Sequence, residues 1–76
     1  MKNILKVKSI RYFETNSGLG YEAKTKHGSI WNDGNGGGTY FEPLSMPNGK
    51  VKKECAKYRN MNELDLEEVI DKYENV

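Results

Sequence analysis

The segment of this sequence that could most readily bind a ligand or a partner is glycine-rich and runs from Asn32 to Gly38. It holds four of the chain's eight glycines. Bare backbone N–H groups can form a concave nest for an anion or let a partner approach closely. The same composition is typical of a wide turn with several positive φ angles, in which Asn and Asp side chains bind nearby backbone. Both interpretations stay open at this point.

The loop fits none of the common ligand-binding loops. A P-loop continues with Gly-Lys-Ser/Thr into a helix, whereas an aromatic, β-forming stretch follows Gly38. Asp33, Asn35 and Gly37 match the first, third and fifth positions of an EF-hand loop, but its twelfth position is Leu44 instead of Glu. One His and one Cys do not complete a zinc site. We therefore predict neither a metal nor a cofactor.

Catalytic chemistry has little support in the sequence. His27 precedes a glycine and is interpreted as a turn residue, and Cys55 is interpreted as a small buried apolar residue. Neither has the spacing of a catalytic triad or a nucleophile elbow. We predict that the chain is not an enzyme and has no catalytic residues.

Aromatic and basic side chains supply the other binding chemistry. Trp31 and the pair Tyr40-Phe41 flank the loop, where they either pack in the core or offer planar faces for a base or a partner side chain. The predicted partner- or ligand-binding residues are Trp31, Asn32, Asp33, Gly34, Asn35, Gly36, Gly37, Gly38, Tyr40, Lys24, Lys26, Lys52, Lys53 and Lys57.

The net charge of +1 conceals a division along the chain. Residues 1 to 59 hold eleven Lys/Arg against five Asp/Glu, a net of +6, whereas residues 60 to 76 hold one against six, a net of −5. Two interpretations follow: an acidic helix that partly neutralises its own domain, or an exposed basic face that binds an anion.

The elements that position these residues begin with two strands. Residues 4 to 13 are rich in β-formers, and their alternation changes phase, which predicts a bulge near Lys8 and Ser9. A turn over residues 15 to 18 leads to residues 19 to 25, where apolar and polar residues alternate as in a half-buried strand.

Two shorter extended segments follow. Residues 29 to 32 complete a hairpin in which either Ile30 or Trp31 faces the core. Residues 39 to 41 are dense in β-formers and end near Pro43. Three or four antiparallel strands are therefore expected.

The last part of the chain is helical in pattern. After a connecting loop over residues 43 to 49, Val51, Cys55 and Tyr58 share one face of a short helix with a basic opposite face. A longer helix follows, with an apolar stripe of Leu66, Val69, Ile70 and Tyr73. Either Asn60 with Glu63 or Asn62 with Asp65 caps its start.

Strands first and helices afterwards predict an α+β fold: a small antiparallel sheet of three or four strands, with both helices packed on one face. We expect one domain over residues 1–76, with a β-rich part over 1–43 and a helical part over 50–76. The single cysteine and the lack of a signal-like or membrane-spanning apolar run predict a cytoplasmic protein.

Residues 20–24 (GYEAK) and 28–37 (GSIWNDGNGG), followed by an aromatic pair, carry a family resemblance. The chain resembles small proteins of bacteriophages and other mobile elements that have an Asn-Asp-Gly-x-Gly-Gly signature after a β-hairpin and usually a helical C-terminal part. The likeness covers residues 5 to 43, about half of the chain. It implies a phage origin, a host-cell cytoplasmic location and, by analogy, interference with host defence.

Three functional hypotheses result. The first is a protein–protein inhibitor that docks its loop and basic face onto a host defence or nucleic-acid-handling protein. The second is a sponge that sequesters a phosphate-bearing nucleotide, as an oligomer because one small domain has little room for a pocket. The third is direct nucleic-acid binding, which the near-neutral charge and the acidic last helix disfavour.

Overall fold

A computed structural model describes residues 5–75 of the chain. Its elements are β1 (Val7–Thr15), β2 (Gly18–Thr25), β3 (Gly28–Asn32), β4 (Thr39–Pro43), α1 (Lys53–Ala56) and α2 (Glu63–Glu74). The four strands form one antiparallel sheet in the order β1-β2-β3-β4, so that each strand pairs with its neighbour in sequence. The predicted α+β fold, with a short and a longer C-terminal helix, is confirmed.

Two short turns join the first three strands, and both use the same device. In each, a threonine hydroxyl accepts a hydrogen bond from the N–H two residues later and donates one to a glycine carbonyl three residues later. These bonds join Thr15 to Ser17 (3.2 Å) and Gly18 (2.8 Å), and Thr25 to His27 (3.1 Å) and Gly28 (2.8 Å). The sequence signal for this device is Thr-x-x-Gly, which occurs twice, ten residues apart.

The phase change in the first strand is a β-bulge. Val7 pairs with Thr25 and Ser9 pairs with Lys24, so Lys8 is the extra residue. A bulged residue lets the strand place apolar side chains on one face on both sides of the irregularity. The predicted bulge is therefore confirmed, whereas the predicted start of this strand at residue 4 lies outside the described residues.

The core lies on one face of the sheet. Ile10, Ala23, Ile30 and Phe41 form a row across the four strands, and the last three of them are buried. The helical part covers this row with buried side chains from α2 and from the segment after α1: Tyr58, Leu66, Val69 and Ile70. Cys55 of α1 is also buried. Ile30 is fully buried, so Ile30 and not Trp31 faces the core.

The short helix begins later than the sequence pattern predicts. Val51 pairs with Ser45 in an isolated β-bridge, and the Met46 N–H donates to the Lys50 carbonyl. The tight turn between Met46 and Lys50 includes Gly49, whose φ of 87° favours glycine. This small hairpin keeps Val51 extended, so α1 starts at Lys53 and spans four residues.

The longer helix starts at the second of the two predicted caps. The Asn62 side-chain oxygen accepts a hydrogen bond from the Asp65 N–H at 2.8 Å. Glu63 and Asp65 lie in the first turn, where the helix dipole favours negative charge. Among residues 5–75, no helix combines the length and the apolarity that crossing a lipid bilayer requires.

Two tyrosine hydroxyls fasten the end of α2 to β1. Tyr12 donates to the Glu74 carboxylate, and Tyr73 donates to the backbone carbonyl of Lys8 at 3.3 Å. The bond to Glu74 raises the pKa of Tyr12 to about 12, with smaller contributions from burial and from nearby negative charge.

We predict that this bond makes stability depend on alkaline pH. Because the folded protein holds the Tyr12 proton more tightly than the unfolded chain, the stabilisation is complete below pH 10 and is lost as the pH rises through 10 toward 12. In urea unfolding, Tyr12→Phe should be less stable than the wild type at pH 8, and this difference should shrink above pH 10. Glu74→Gln should weaken the same pH dependence. A difference that stays constant up to pH 11.5 would contradict the prediction.

Candidate binding surface

The sheet face opposite the helices forms the candidate binding surface, which we call the open face. Strand alternation places on it the neighbours of the core residues. The open face comprises the side chains of Arg11, Phe13, Glu22, Lys24, Trp31, Tyr40 and Glu42. Tyr58 and the buried residues of α2 pack against the opposite side of the sheet. The seven side chains of the open face are all exposed or half-buried.

Aromatic rings occupy the centre of the open face. The Phe13 and Trp31 ring centroids lie 6.5 Å apart with planes tilted by 56°. Gly20, the β2 partner of Phe13, leaves the space that the Phe13 ring fills: a Cβ at Gly20 would lie 2.6 Å from the ring. Tyr40 pairs directly with Trp31 and is 51% exposed. Three strands with an aromatic side chain each and one glycine therefore build a single aromatic cluster.

Two polar contacts join side chains of the open face to one another. Arg11 forms an ion pair with Glu22 at 2.8 Å, and its guanidinium carbon lies 5.9 Å from the Phe13 ring centroid. The Trp31 indole N–H donates to the Glu42 carboxylate at 3.2 Å. These contacts orient the rings, and together with Lys24 the seven side chains include two acidic and two basic groups.

The glycine-rich loop follows β3 and is held by its own side chains. The Asn32 side-chain oxygen accepts from the Gly34 N–H at 2.9 Å, and its amide donates to the Thr39 hydroxyl at 3.1 Å. Asp33 accepts from the Asn35 N–H at 2.9 Å. These bonds match the predicted turn in which Asn and Asp side chains bind nearby backbone.

The surroundings of the loop glycines differ from one position to the next. A Cβ at Gly34 would lie 3.0 Å from the Thr15 hydroxyl, so this glycine packs against the first hairpin. A Cβ at Gly38 would lie 3.0 Å from the Glu63 carboxylate, and one at Gly37 would lie 3.4 Å from the Asp33 carboxylate. Two carboxylates beside the loop oppose the binding of an anion there, because like charges repel.

The predicted binding residues do not form one site. The loop follows Asn32 at one end of β3, whereas Tyr58 lies beside His27 at the other end, with ring centroids 4.9 Å apart. A five-residue strand such as β3 is about 13 Å long. Lys57 lies over the Tyr58 ring at 5.2 Å, so the basic segment is at the end of the sheet opposite to the loop.

The alternation of side chains along β3 and β4 decides which of the aromatic residues beside the loop pack in the core. Phe41 is buried in the core, whereas Trp31 and Tyr40 lie on the open face next to the loop. Lys24 shares this face, and Lys26 is in the turn between β2 and β3 at the opposite end from the loop. Phe13 and Glu42 are further members of this surface that the sequence analysis missed. The signal for both was their odd or even position relative to buried neighbours in the same strands.

The remaining reactive residues are dispersed. Cys55 is a free, buried thiol, and His27 lies in a turn with its ring tilted by 50° against the Tyr58 ring. Within residues 5–75, no three His, Cys, Asp or Glu side chains come together as metal ligands do. Comparison of the chain with protein-family models, with curated proteins and with solved structures finds no match.

Proposed function

We propose that this chain is a non-enzymatic binding protein that acts by protein–protein contact through the open face and the adjoining edge of the glycine-rich loop. One observation carries the proposal: Phe13, Trp31 and Tyr40 form an aromatic cluster on a sheet face that neither helix covers. Trp, Tyr and Arg are the residues that most often dominate the energy of protein interfaces.

The charge of the open face favours a protein partner over a polyanion. A surface that binds a nucleic-acid backbone needs a surplus of cations. Here Arg11 is neutralised by Glu22 at 2.8 Å, and Glu42 lies beside Trp31 and offsets Lys24. A face with balanced charge and with rings held by polar contacts has the mixed composition of protein interfaces.

The nucleotide-sponge alternative has less support from the geometry. Asp33 and Glu63 place carboxylates against the loop glycines, where the phosphate would have to bind. The Asn32 and Asp33 side chains already accept two of the loop's N–H groups. We therefore assign the loop the role of a rigid rim of the open face.

The size of the protein allows such an interface. A standard interface takes about 800 Å² from each partner. The surface of this protein is 5596 Å², so about one seventh of it would suffice.

The resemblance to phage proteins suggests the class of partner. It favours a bacterial protein of host defence or nucleic-acid handling, and a location in the cytoplasm of the host. The signature over residues 28–37 supports this class of partner, and the geometry of the open face suits a protein partner.

The test is capture from a bacterial lysate followed by direct binding to the purified captured protein. We expect the double variant Trp31→Ala/Tyr40→Ala to capture none of the partner, and Trp31→Ala alone to raise Kd about 30-fold or more, the effect of losing one central aromatic side chain. Isothermal titration calorimetry measures the change.

Leu19→Ala is the matched control, since Leu19 is 61% exposed and lies on the other side of the sheet. It should bind as the wild type does. Capture that does not depend on Trp31 and Tyr40 would assign binding to another surface. A thermal stabilisation of the protein by a nucleotide would instead support the sponge.

A further inference from the structure

We infer that the chain assembles with copies of itself by placing the basic surface around α1 against the outward face of α2 of a second copy. The basic surface comprises the exposed residues Leu44, Met46, Lys50, Lys52 and Lys53. The acidic surface comprises the exposed residues Leu64, Glu67, Glu68 and Asp71. This inference uses neither the aromatic cluster nor the glycine-rich loop, and it is independent of the proposed function.

The small hairpin before α1 builds the basic surface. The bridge between Ser45 and Val51 brings the residues on either side of them together. Leu44 therefore lies next to Lys52, and Met46 lies next to Lys50, whose carbonyl accepts its N–H. Leu44 is 47% and Met46 38% exposed, so apolar and cationic groups alternate on one surface.

The outward side of α2 has the complementary composition. Leu66, Val69 and Ile70 face the core. Leu64 lies on the opposite side and is 76% exposed, the most exposed of the large apolar side chains in residues 5–75. Three carboxylates, those of Glu67, Glu68 and Asp71, follow it within two helical turns. An exposed leucine bordered by carboxylates matches exposed Leu and Met side chains bordered by lysines.

The two surfaces do not neutralise each other inside one molecule. Residues 50–59 hold five Lys/Arg against one Glu, and residues 60–76 hold one Lys against six Asp/Glu. Within residues 5–75, the ion pairs are Arg11–Glu22 and Glu68–Lys72, so none joins the two surfaces. Both charge surpluses are thus available to a neighbour, and a net charge of only +1 gives little overall repulsion between copies.

Sedimentation equilibrium at two salt concentrations tests the inference. At about 10 mM salt, where the Debye length is about 30 Å, we expect a weight-average mass of at least twice the monomer mass; at about 1 M salt, where it is about 3 Å, we expect monomer. A closed dimer and an open chain of copies both agree with the inference, because a heterologous contact generates either. A monomer at both salt concentrations would overturn it.

Charge reversal identifies the surfaces. The variant Lys50→Glu/Lys52→Glu/Lys53→Glu has a net charge of −5, and the variant Glu67→Lys/Glu68→Lys/Asp71→Lys has a net charge of +7. Each alone should be monomeric at low salt. Their equimolar mixture, and the chain carrying all six changes with a net charge of +1, should regain at least the twofold mass. Failure of both to associate would overturn the pairing of these two surfaces.

Two controls complete the experiment. Lys6→Glu/Lys8→Glu/Lys26→Glu also has a net charge of −5 but leaves both surfaces intact, so it should retain association. Loss of association in this variant would mean that net charge, and not the two surfaces, determines whether copies associate. Treatment of the wild type with nuclease should change nothing, and dissociation after it would assign the basic surface to bound nucleic acid. Thermal unfolding followed by circular dichroism verifies that each variant is folded.

Discussion

Gly28→Ala is expected to lower the free energy of unfolding by about 3–5 kcal/mol, the sum of overpacking and backbone strain. Gly28 is buried at the start of β3, between Thr25 of β2 and Pro43 of β4. A Cβ there would overlap the Glu42 carbonyl oxygen and lie 2.8 Å from the Phe41 ring and 2.9 Å from the Pro43 Cα. These atoms belong to paired backbone and to the core, so they have little freedom to move.

The expected loss is large for a chain of this length. At about 0.05–0.15 kcal/mol per residue, 76 residues give a total stability of about 4–11 kcal/mol. Gly28→Ala should therefore leave a substantial part of the protein unfolded at 37 °C. Urea denaturation followed by circular dichroism measures the change.

Gly36→Ala is the matched control for this prediction. Gly36 also has a positive φ, 82° against 149° at Gly28, but a Cβ there would meet no atom within 4 Å. Its cost should be the backbone term alone, about 1–2 kcal/mol. Equal losses for the two variants would show that close packing at Gly28 is not what requires glycine.

The sheet was largely predictable because it depends on local patterns. Alternation in residues 19 to 25 defined β2, and the phase change in the first strand defined the bulge at Lys8. Once Ile30 faces the core, period two puts Trp31 on the opposite face without further information. What the pattern of a four-residue strand cannot decide is which of two adjacent apolar residues faces inward.

The arrangement of the binding residues was not predictable in the same way. No local sequence pattern indicates how far the loop lies from the basic segment. Their separation depends on which end of the sheet each connection occupies. The chain passes from the loop through β4 to the His27 end, where the Leu44 N–H donates to the His27 carbonyl. That path places the lysines of residues 50–57 away from the glycines. Only the order and direction of the strands determine this.

The open face could not be predicted from the sequence for a related reason. Phe13, Trp31 and Tyr40 come from three different strands and are up to 27 residues apart in sequence. Their shared position on one face requires the register of all four strands to be correct, since a shift of one residue would move a ring to the other face. The role of Gly20 also depends on register, because the Phe13 ring occupies the space where a side chain at residue 20 would lie.

Leu66→Ala is expected to lower the free energy of unfolding by about 2–5 kcal/mol, the range for removing a buried leucine side chain. Leu66 is fully buried in α2 and belongs to the core that the helix forms with the sheet. Few other side chains attach α2 to the core: its other buried residues are Val69 and Ile70, one turn further on. A cavity beneath the first half of α2 cannot be filled by either of them.

Leu64→Ala tests the same substitution two residues earlier on the same helix. Leu64 is 76% exposed, so this change should alter stability by less than about 0.5 kcal/mol, as for most surface positions. Urea unfolding of the two variants at low protein concentration, where copies do not associate, compares them directly. A loss at Leu64 equal to that at Leu66 would mean that α2 is rotated about its axis relative to the packing described, and the acidic surface would then lie against the sheet.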